Sequence, residues 1–296
     1  MGVLEKLNAY MADEGLSGAM IARSLGVSSA TVSQYRNGKY MGDIAVLEEK
    51  ILGLLSLADE RRQAVKRQIE YVITPTAQDC FGLIRAAHID CELGVLVGSA
   101  GLGKTAALKE YAKNNKDSVL IETDPSFTAR VMTMALGKEI GVNVSGNLND
   151  MLSEIIERLK DSGRVLLIDE AELLPLRALE VVRRIHDKAG VGVVLVGMPR
   201  LIMNLRGRRG ELGQLYSRVA FYWDLGERLK DDDLLEMVNQ TNPEWDGKTA
   251  AAVVASARGN VRRLVKLICG VRRMASINQQ KANVEMVKQF SKMLIQ

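Results

Sequence analysis

Residues 98–105 read Gly98-Ser99-Ala100-Gly101-Leu102-Gly103-Lys104-Thr105, a G-x-x-x-x-G-K-T run. Each fixed position has a chemical reason. The glycines accept backbone dihedrals that residues with a Cβ resist, so successive N–H groups can curl around a polyphosphate. Lys104 can reach β- and γ-phosphates, and Thr105 offers a hydroxyl to Mg²⁺. Apolar Leu93–Val97 precedes the run and a helix-compatible stretch, Ala106–Lys113, follows it. That strand–loop–helix setting is what the chemistry needs. A helix starting near Gly103 points its positive dipole end at the same phosphates. ATP with Mg²⁺ is the expected ligand of residues Gly98 to Thr105.

A second constellation completes the first. Val165-Leu-Leu-Ile-Asp169-Glu170 is an apolar strand that ends in two carboxylates. Asp169 is expected to hold Mg²⁺ together with Thr105. Glu170 is placed to orient or deprotonate an attacking water. Lys104, Asp169 and Glu170 are thus candidate catalytic residues.

These residues must be carried by a frame of elements. The chain has 296 residues, 47% of them hydrophobic but only 4% aromatic. That balance favours an α-rich or α/β protein over a sandwich of aromatic strands. Apolar runs at Leu93–Val97, Val119–Glu122, Val165–Asp169, Val191–Val196 and Val219–Trp223 alternate with helical patterns. Such alternation predicts a parallel sheet with helices on both faces over residues 76–225. Residues 226–296 carry no strand signal and predict an all-helical lid, with helices at Asp231–Gln240, Lys248–Ala257 and Val261–Ile277. Residues 57–75, polar and ending in Thr74-Pro75, read as a partly helical linker.

The net charge of +4 neither requires nor excludes nucleic acid. Cys80, Cys91 and Cys269 are far apart, and neither His88 nor His186 joins them at ligand spacing. This argues against a zinc site or a disulfide framework and fits a reducing compartment. No signal-peptide pattern and no apolar run of about 18 residues occurs, so a cytoplasmic protein with no membrane partner is expected.

Residues 1–56 form a third region. Ala22-Arg-Ser-Leu-Gly26-Val-Ser-Ser-Ala-Thr-Val32-Ser-Gln-Tyr35-Arg-Asn-Gly38 has helix-turn-helix spacing. Ala22 is small where two helices cross, Gly26 permits the tight turn, and Val32 and Tyr35 face inward. Ser28 or Ser29 can cap the second helix. The spacing resembles the phage-repressor class of helix-turn-helix domains. The resemblance implies Ser29, Ala30, Ser33 and Gln34 toward base edges, with Asn37 and Lys39 near phosphates. That reading set is weakly polar, so low-specificity DNA binding is expected of this domain alone. A small domain that docks protein is the alternative.

Phosphate loop, Asp-Glu strand, further strand and helical domain, in that order, resemble the AAA+ ATPases. In that family the strand after the Asp-Glu strand usually ends in a polar sensor residue. Here Val193-Val-Leu-Val-Gly197-Met198-Pro199-Arg200 puts Met198 near that place. Methionine cannot hydrogen-bond as an amide does, so Arg200 or a neighbour takes the task, or hydrolysis is slow and needs a partner. The resemblance also implies an arginine reaching the γ-phosphate of the next subunit. Arg218 before the last strand matches it, with Arg206, Arg208 and Arg209 as competitors. Arg262 in Gly259-Asn-Val-Arg262-Arg263 matches the lid arginine that contacts nucleotide, with Arg263 as fallback.

The combination of this helix-turn-helix, linker and compact AAA+ module resembles the family of Mu-type transposition B proteins. It implies an ATPase of a transposable phage or prophage that assembles as ATP-dependent helical filaments on double-stranded DNA. Such proteins bind target DNA with little sequence preference, deliver it to a DDE transposase and stimulate strand transfer. Relatives carry basic residues on channel loops, whereas Gly141–Asn147 has none. Arg130, Arg158, Lys160, Arg177, Arg183 and Arg184 are the candidate replacements. A helicase loader or replication-initiation ATPase, and a nucleotide-sensing transcription regulator, are the competing readings.

Overall fold

The computed structural model of the protein describes residues 2–66, 69–143, 145–207 and 213–295. Arg208 and Arg209, considered above as arginines acting between subunits, lie outside the described residues. The chain divides into two compact units, residues 1–68 and 69–296.

The first unit holds α1 (Val3–Asp13), α2 (Gly18–Leu25), α3 (Ser29–Arg36) and α4 (Ile44–Lys66). The turn between α2 and α3 follows from its residues. Gly26 ends α2 in the left-handed region at φ 65°, and the Ser28 hydroxyl accepts from the Thr31 N–H to start α3. Ala22, Val32 and Tyr35 are buried with Leu7, Ile21, Leu47 and Ile51. The Tyr35 hydroxyl donates to Glu48 Oε1 at 2.7 Å, tying α3 to α4. Helix α4 runs on through much of the segment read as a linker from residue 57. Its Ala, Glu, Arg, Gln and Lys residues favour a helix once Ile44–Leu55 has nucleated one.

The second unit begins with α5 (Pro75–Ile89), capped by Thr74. Then follow β1 (Leu93–Val97), α6 (Lys104–Asn114), β2 (Ser118–Glu122), α7 (Ala129–Glu139), α8 (Leu148–Leu159) and β3 (Val165–Asp169). A 3₁₀ turn at Ala171–Leu173 leads to α9 (Leu176–Ala189), β4 (Gly192–Gly197), α10 (Arg200–Arg206), α11 (Gly213–Tyr216) and β5 (Val219–Asp224). The strands form one parallel sheet in the order β2-β3-β4-β1-β5. β1, β3 and β4 are buried along their whole length. Val95, Val97, Ile168 and Leu195 join the core with α7, α8 and α9, while Leu96, Leu167, Val194 and Val196 join that with α5 and α6. Continuous apolar runs are thus the signature of strands covered on both faces.

The chain ends in α12 (Asp231–Thr241), α13 (Gly247–Ala257), α14 (Val261–Ile277) and α15 (Val284–Met293). The first three match the expected helices to within a residue. α15 was not expected; it buries Met286 and Val287. These helices share a core of their own, and Leu102 of the phosphate loop is part of it. No described helix is long and apolar enough to cross a membrane.

Candidate active site

Strand order decides which loops meet. β4 lies between β1 and β3, with Val97 beside Gly197 and Ile168 beside Leu195. The segments leaving the carboxyl ends of these three strands therefore emerge side by side, where α/β sheets bind ligands. They surround a cavity of about 510 Å³ lined by Gly101, Gly103, Lys104, Thr105, Asp169, Glu170, Met198, Arg200 and Arg262 among others. That volume suits a nucleotide-sized ligand.

The loop has the backbone that the chemistry requires. Gly101 and Gly103 sit at φ 83° and 91°, left-handed values that a side chain would strain. The Ser99 N–H is fixed to Gly226 O at 3.0 Å. The Lys104 ammonium folds back onto the loop, donating to Gly98 O at 2.7 Å and Ser99 O at 2.9 Å. Burial pushes this lysine below its ordinary value, and the carboxylates of Asp169 and Glu172 oppose that shift. A phosphate entering the cradle would supply oxygens in place of the two carbonyls.

The Thr105 hydroxyl donates to Asp169 Oδ2 at 2.5 Å, and Asp169 is buried. A hydroxyl and a carboxylate in contact beside a phosphate cradle are the donor set that fits Mg²⁺. Glu170 follows at φ 52°, an uncommon conformation for a residue with a side chain, and is exposed toward the cavity. Thr123, at the end of β2, holds this corner. Its hydroxyl donates to Asp169 O at 3.0 Å or Glu170 O at 2.9 Å.

The lid contributes from the other side. Arg262 lines the cavity, and its N–H donates to Gly101 O at 3.1 Å. Asn260 caps α14 and also donates its amide to Ala100 O at 2.9 Å. Arg263, the fallback for Arg262, points elsewhere and donates to Ser256 O and Ile295 O. Met198 directly follows β4 at the cavity wall, 38% exposed.

Arg218 does not line this cavity. It is paired with Asp187 and donates to Gln214 O at 2.7 Å. Arg206 donates to the Tyr216 hydroxyl and stacks on its ring at 5.3 Å. In the first unit Ser29, Ala30, Ser33 and Gln34 on α3, and Asn37 and Lys39 after it, are all exposed. Of the candidate DNA-contacting cations, Arg183 is bound by Glu180 and Asp187, and Arg130 donates to Gly146 O.

Sequence reasoning missed Thr123, Asn260 and Glu172 as members of this site. Asn260 is adjacent to a motif and its capping type was a usable signal. Thr123 and Glu172 carry no local signal, since their relevance depends on the register of β2 against β3 and on the packing against β4.

Comparison with known proteins agrees with this geometry. Residues 88–205 match a family model described as an AAA domain. The Mu-like prophage FluMu DNA transposition protein B of Haemophilus influenzae is 30% identical over 225 residues, covering 74% of this chain and 78% of that one. The ATP-dependent target DNA activator B of Escherichia phage Mu is 30% identical over 221 residues, covering 72% and 70%. Among solved structures, the Aeropyrum pernix ORC2 protein superposes with a TM-score of 0.60 at 15% identity, over 78% of this chain and 72% of its own. Domain III of the Thermotoga maritima replication initiation protein DnaA gives 0.53 at 15% identity, over 78% and 97%.

Proposed function

The chain belongs to the family of Mu-type DNA transposition B proteins and is an ATPase with the AAA+ fold, and from that footing we infer that it is an ATP-dependent DNA-binding protein. In this reading it polymerises on duplex DNA, captures target DNA with little sequence preference, delivers it to a DDE transposase and stimulates strand transfer. One observation supports assembly most directly: Lys104, Thr105, Asp169, Glu170 and Arg262 line one cavity, whereas Arg218 is held on Asp187 and does not line it.

The residues divide the work as follows in this proposal. Lys104 leaves Gly98 and Ser99 to hold the β- and γ-phosphates. Thr105 and Asp169 would hold Mg²⁺, which when bound neutralises charge on the phosphate oxygens. Glu170 accepts a proton from the attacking water. Arg262 contacts the nucleotide from the lid. Arg218 of one subunit leaves Asp187 and reaches the γ-phosphate bound by its neighbour, so ATP joins two protomers and hydrolysis releases them. On each protomer Ser29, Ser33, Gln34, Asn37 and Lys39 give a weak DNA grip. Repetition along a filament adds such contacts, so single-site affinity need not be high.

Sedimentation with ATP or ADP, with and without random-sequence duplex, tests this function. Pelleting is expected with ATP and to be strengthened by duplex of any sequence. Equal pelleting in ADP, or protection of a single defined operator without nucleotide, would overturn it.

A further inference from the structure

Glu172 is a third carboxylate at the cavity, used neither for metal binding nor for activating water. It sits on the 3₁₀ turn after β3, and its side chain is 4% exposed. Oε2 is fully buried and has no hydrogen-bond partner. A buried carboxylate is costly unless it is paired. Oε1 lies 3.7 Å from a terminal nitrogen of Arg200, the first residue of α10, whose side chain is 51% exposed. One turn further along α10, Asn204 donates to the Glu172 carbonyl at 3.1 Å. The turn is thus held by α10 at two points.

Gly197 explains how the carboxylate fits. A Cβ built on Gly197 would run into Glu172 Oε2, so the carboxylate occupies space that any side chain at the end of β4 would take. The next residue is Met198, which faces the cavity without a polar hydrogen or a strong acceptor. Two residues on, Arg200 lines the same cavity with five N–H donors on its guanidinium. Its contact with Glu172 is a single-ended ion pair, which leaves other donors of the fork for a second acceptor.

We propose that Glu172 is a positioning residue that holds Arg200 at the cavity wall, and that Arg200 senses the γ-phosphate where Met198 cannot. The guanidinium bridges the buried carboxylate and a γ-phosphate oxygen in the ATP state, and keeps only the carboxylate in the ADP state. Gly197 is the third component, because it gives Glu172 its place. This rests on the cavity being the ATP site.

The test is equilibrium binding of fluorescent ADP and of a non-hydrolysable fluorescent ATP analogue to the full chain, with thermal melting to confirm folding. Arg200→Ala is expected to lower the preference for the ATP analogue over ADP by about tenfold, the value of one charge-assisted hydrogen bond. Glu172→Gln should lower the same ratio, Glu172→Asp should recover part of it, and the Glu172→Gln/Arg200→Ala pair should be no worse than Arg200→Ala alone. Gly197→Ala displaces the carboxylate and should reproduce Glu172→Gln even if that variant folds poorly. A ratio unchanged in Arg200→Ala overturns the proposal, as do fully additive losses in the double variant. If the wild-type chain binds neither nucleotide, the ATP-site reading itself fails. If it binds and discriminates but the variants do so equally well, only the roles of Glu172 and Arg200 fall.

Discussion

Lys104 shows how a single residue sets the behaviour of the site. Its part-buried ammonium donates to Gly98 O and Ser99 O, and in the proposed role it exchanges these two carbonyls for phosphate oxygens. Lys104→Ala should reduce nucleotide affinity by about 100-fold or more, the loss of charge-assisted bonds to two phosphates. Titration with a fluorescent ATP analogue reads this directly, and near-normal affinity would remove Lys104 from the site. Glu170 makes the opposite kind of prediction. It is exposed, at a positive φ, beside a corner where the Thr123 N–H donates to Asp169 O and its hydroxyl can donate to Glu170 O. Glu170→Gln keeps the shape but removes the carboxylate proposed to act as the base. ATP binding should survive, while turnover falls by roughly 10²–10⁴. Phosphate release at saturating ATP measures it, and turnover at the wild-type rate would assign the base elsewhere.

At the scale of elements, much was legible because strands and chemistry coincide. β1 and β3 are five-residue apolar runs that end at the phosphate loop and at Asp169, so motif and strand end mark each other. β4 lies one residue later than expected, since Val191 gives its carbonyl to His186 and belongs to the preceding loop. α15 had a signal that went unread: Asn283 caps it, and Val284, Met286, Val287 and Phe290 recur at helical spacing, the last three joining the lid core. The partnership of Glu172 with Gly197 needs the register of β3 against β4 and is invisible to spacing. In the first unit, Tyr35 is a residue whose inward face was expected and whose partner was not. Burial first, and then the hydrogen bond and charge of Glu48, push its phenol up to about 12. The neutral phenol is the favoured form in the folded unit. Its stabilising contribution is present below the ordinary tyrosine value near 10 and is lost as pH rises through about 12. An ultraviolet difference titration of wild type against Tyr35→Phe should show one tyrosine ionising near 12. A difference centred near 10 would mean that α3 is not held on α4 by this bond.

For the whole molecule the decisive matter is where hydrolysis is completed. The cavity supplies the phosphate loop, Asp169, Glu170 and Arg262, whereas Arg218 is held by Asp187 away from the cavity. An arginine completing the site from a neighbour is worth about 10³–10⁵ in rate in other phosphoryl-transfer proteins. Turnover per protomer should therefore rise with protein concentration, and Arg218→Ala should be slow at all concentrations while binding ATP normally as a monomer. Loss of activity alone does not separate a neighbour's arginine from one that folds back within its own chain. Mixing does. Lys104→Ala lacks a working cavity but keeps Arg218, and Arg218→Ala has the reverse defect. In a head-to-tail assembly, an Arg218→Ala cavity facing a Lys104→Ala neighbour contains every group. With equal amounts assembling at random, about a quarter of the junctions are of this kind, the product of two one-half chances at a heterologous interface. Two inactive proteins should then recover about a quarter of wild-type phosphate release on mixing. Recovery depends on the two chains meeting, so it should disappear on dilution. A mixture as inactive as its components would place the missing positive charge within the same protomer, and nucleotide state would no longer account for assembly.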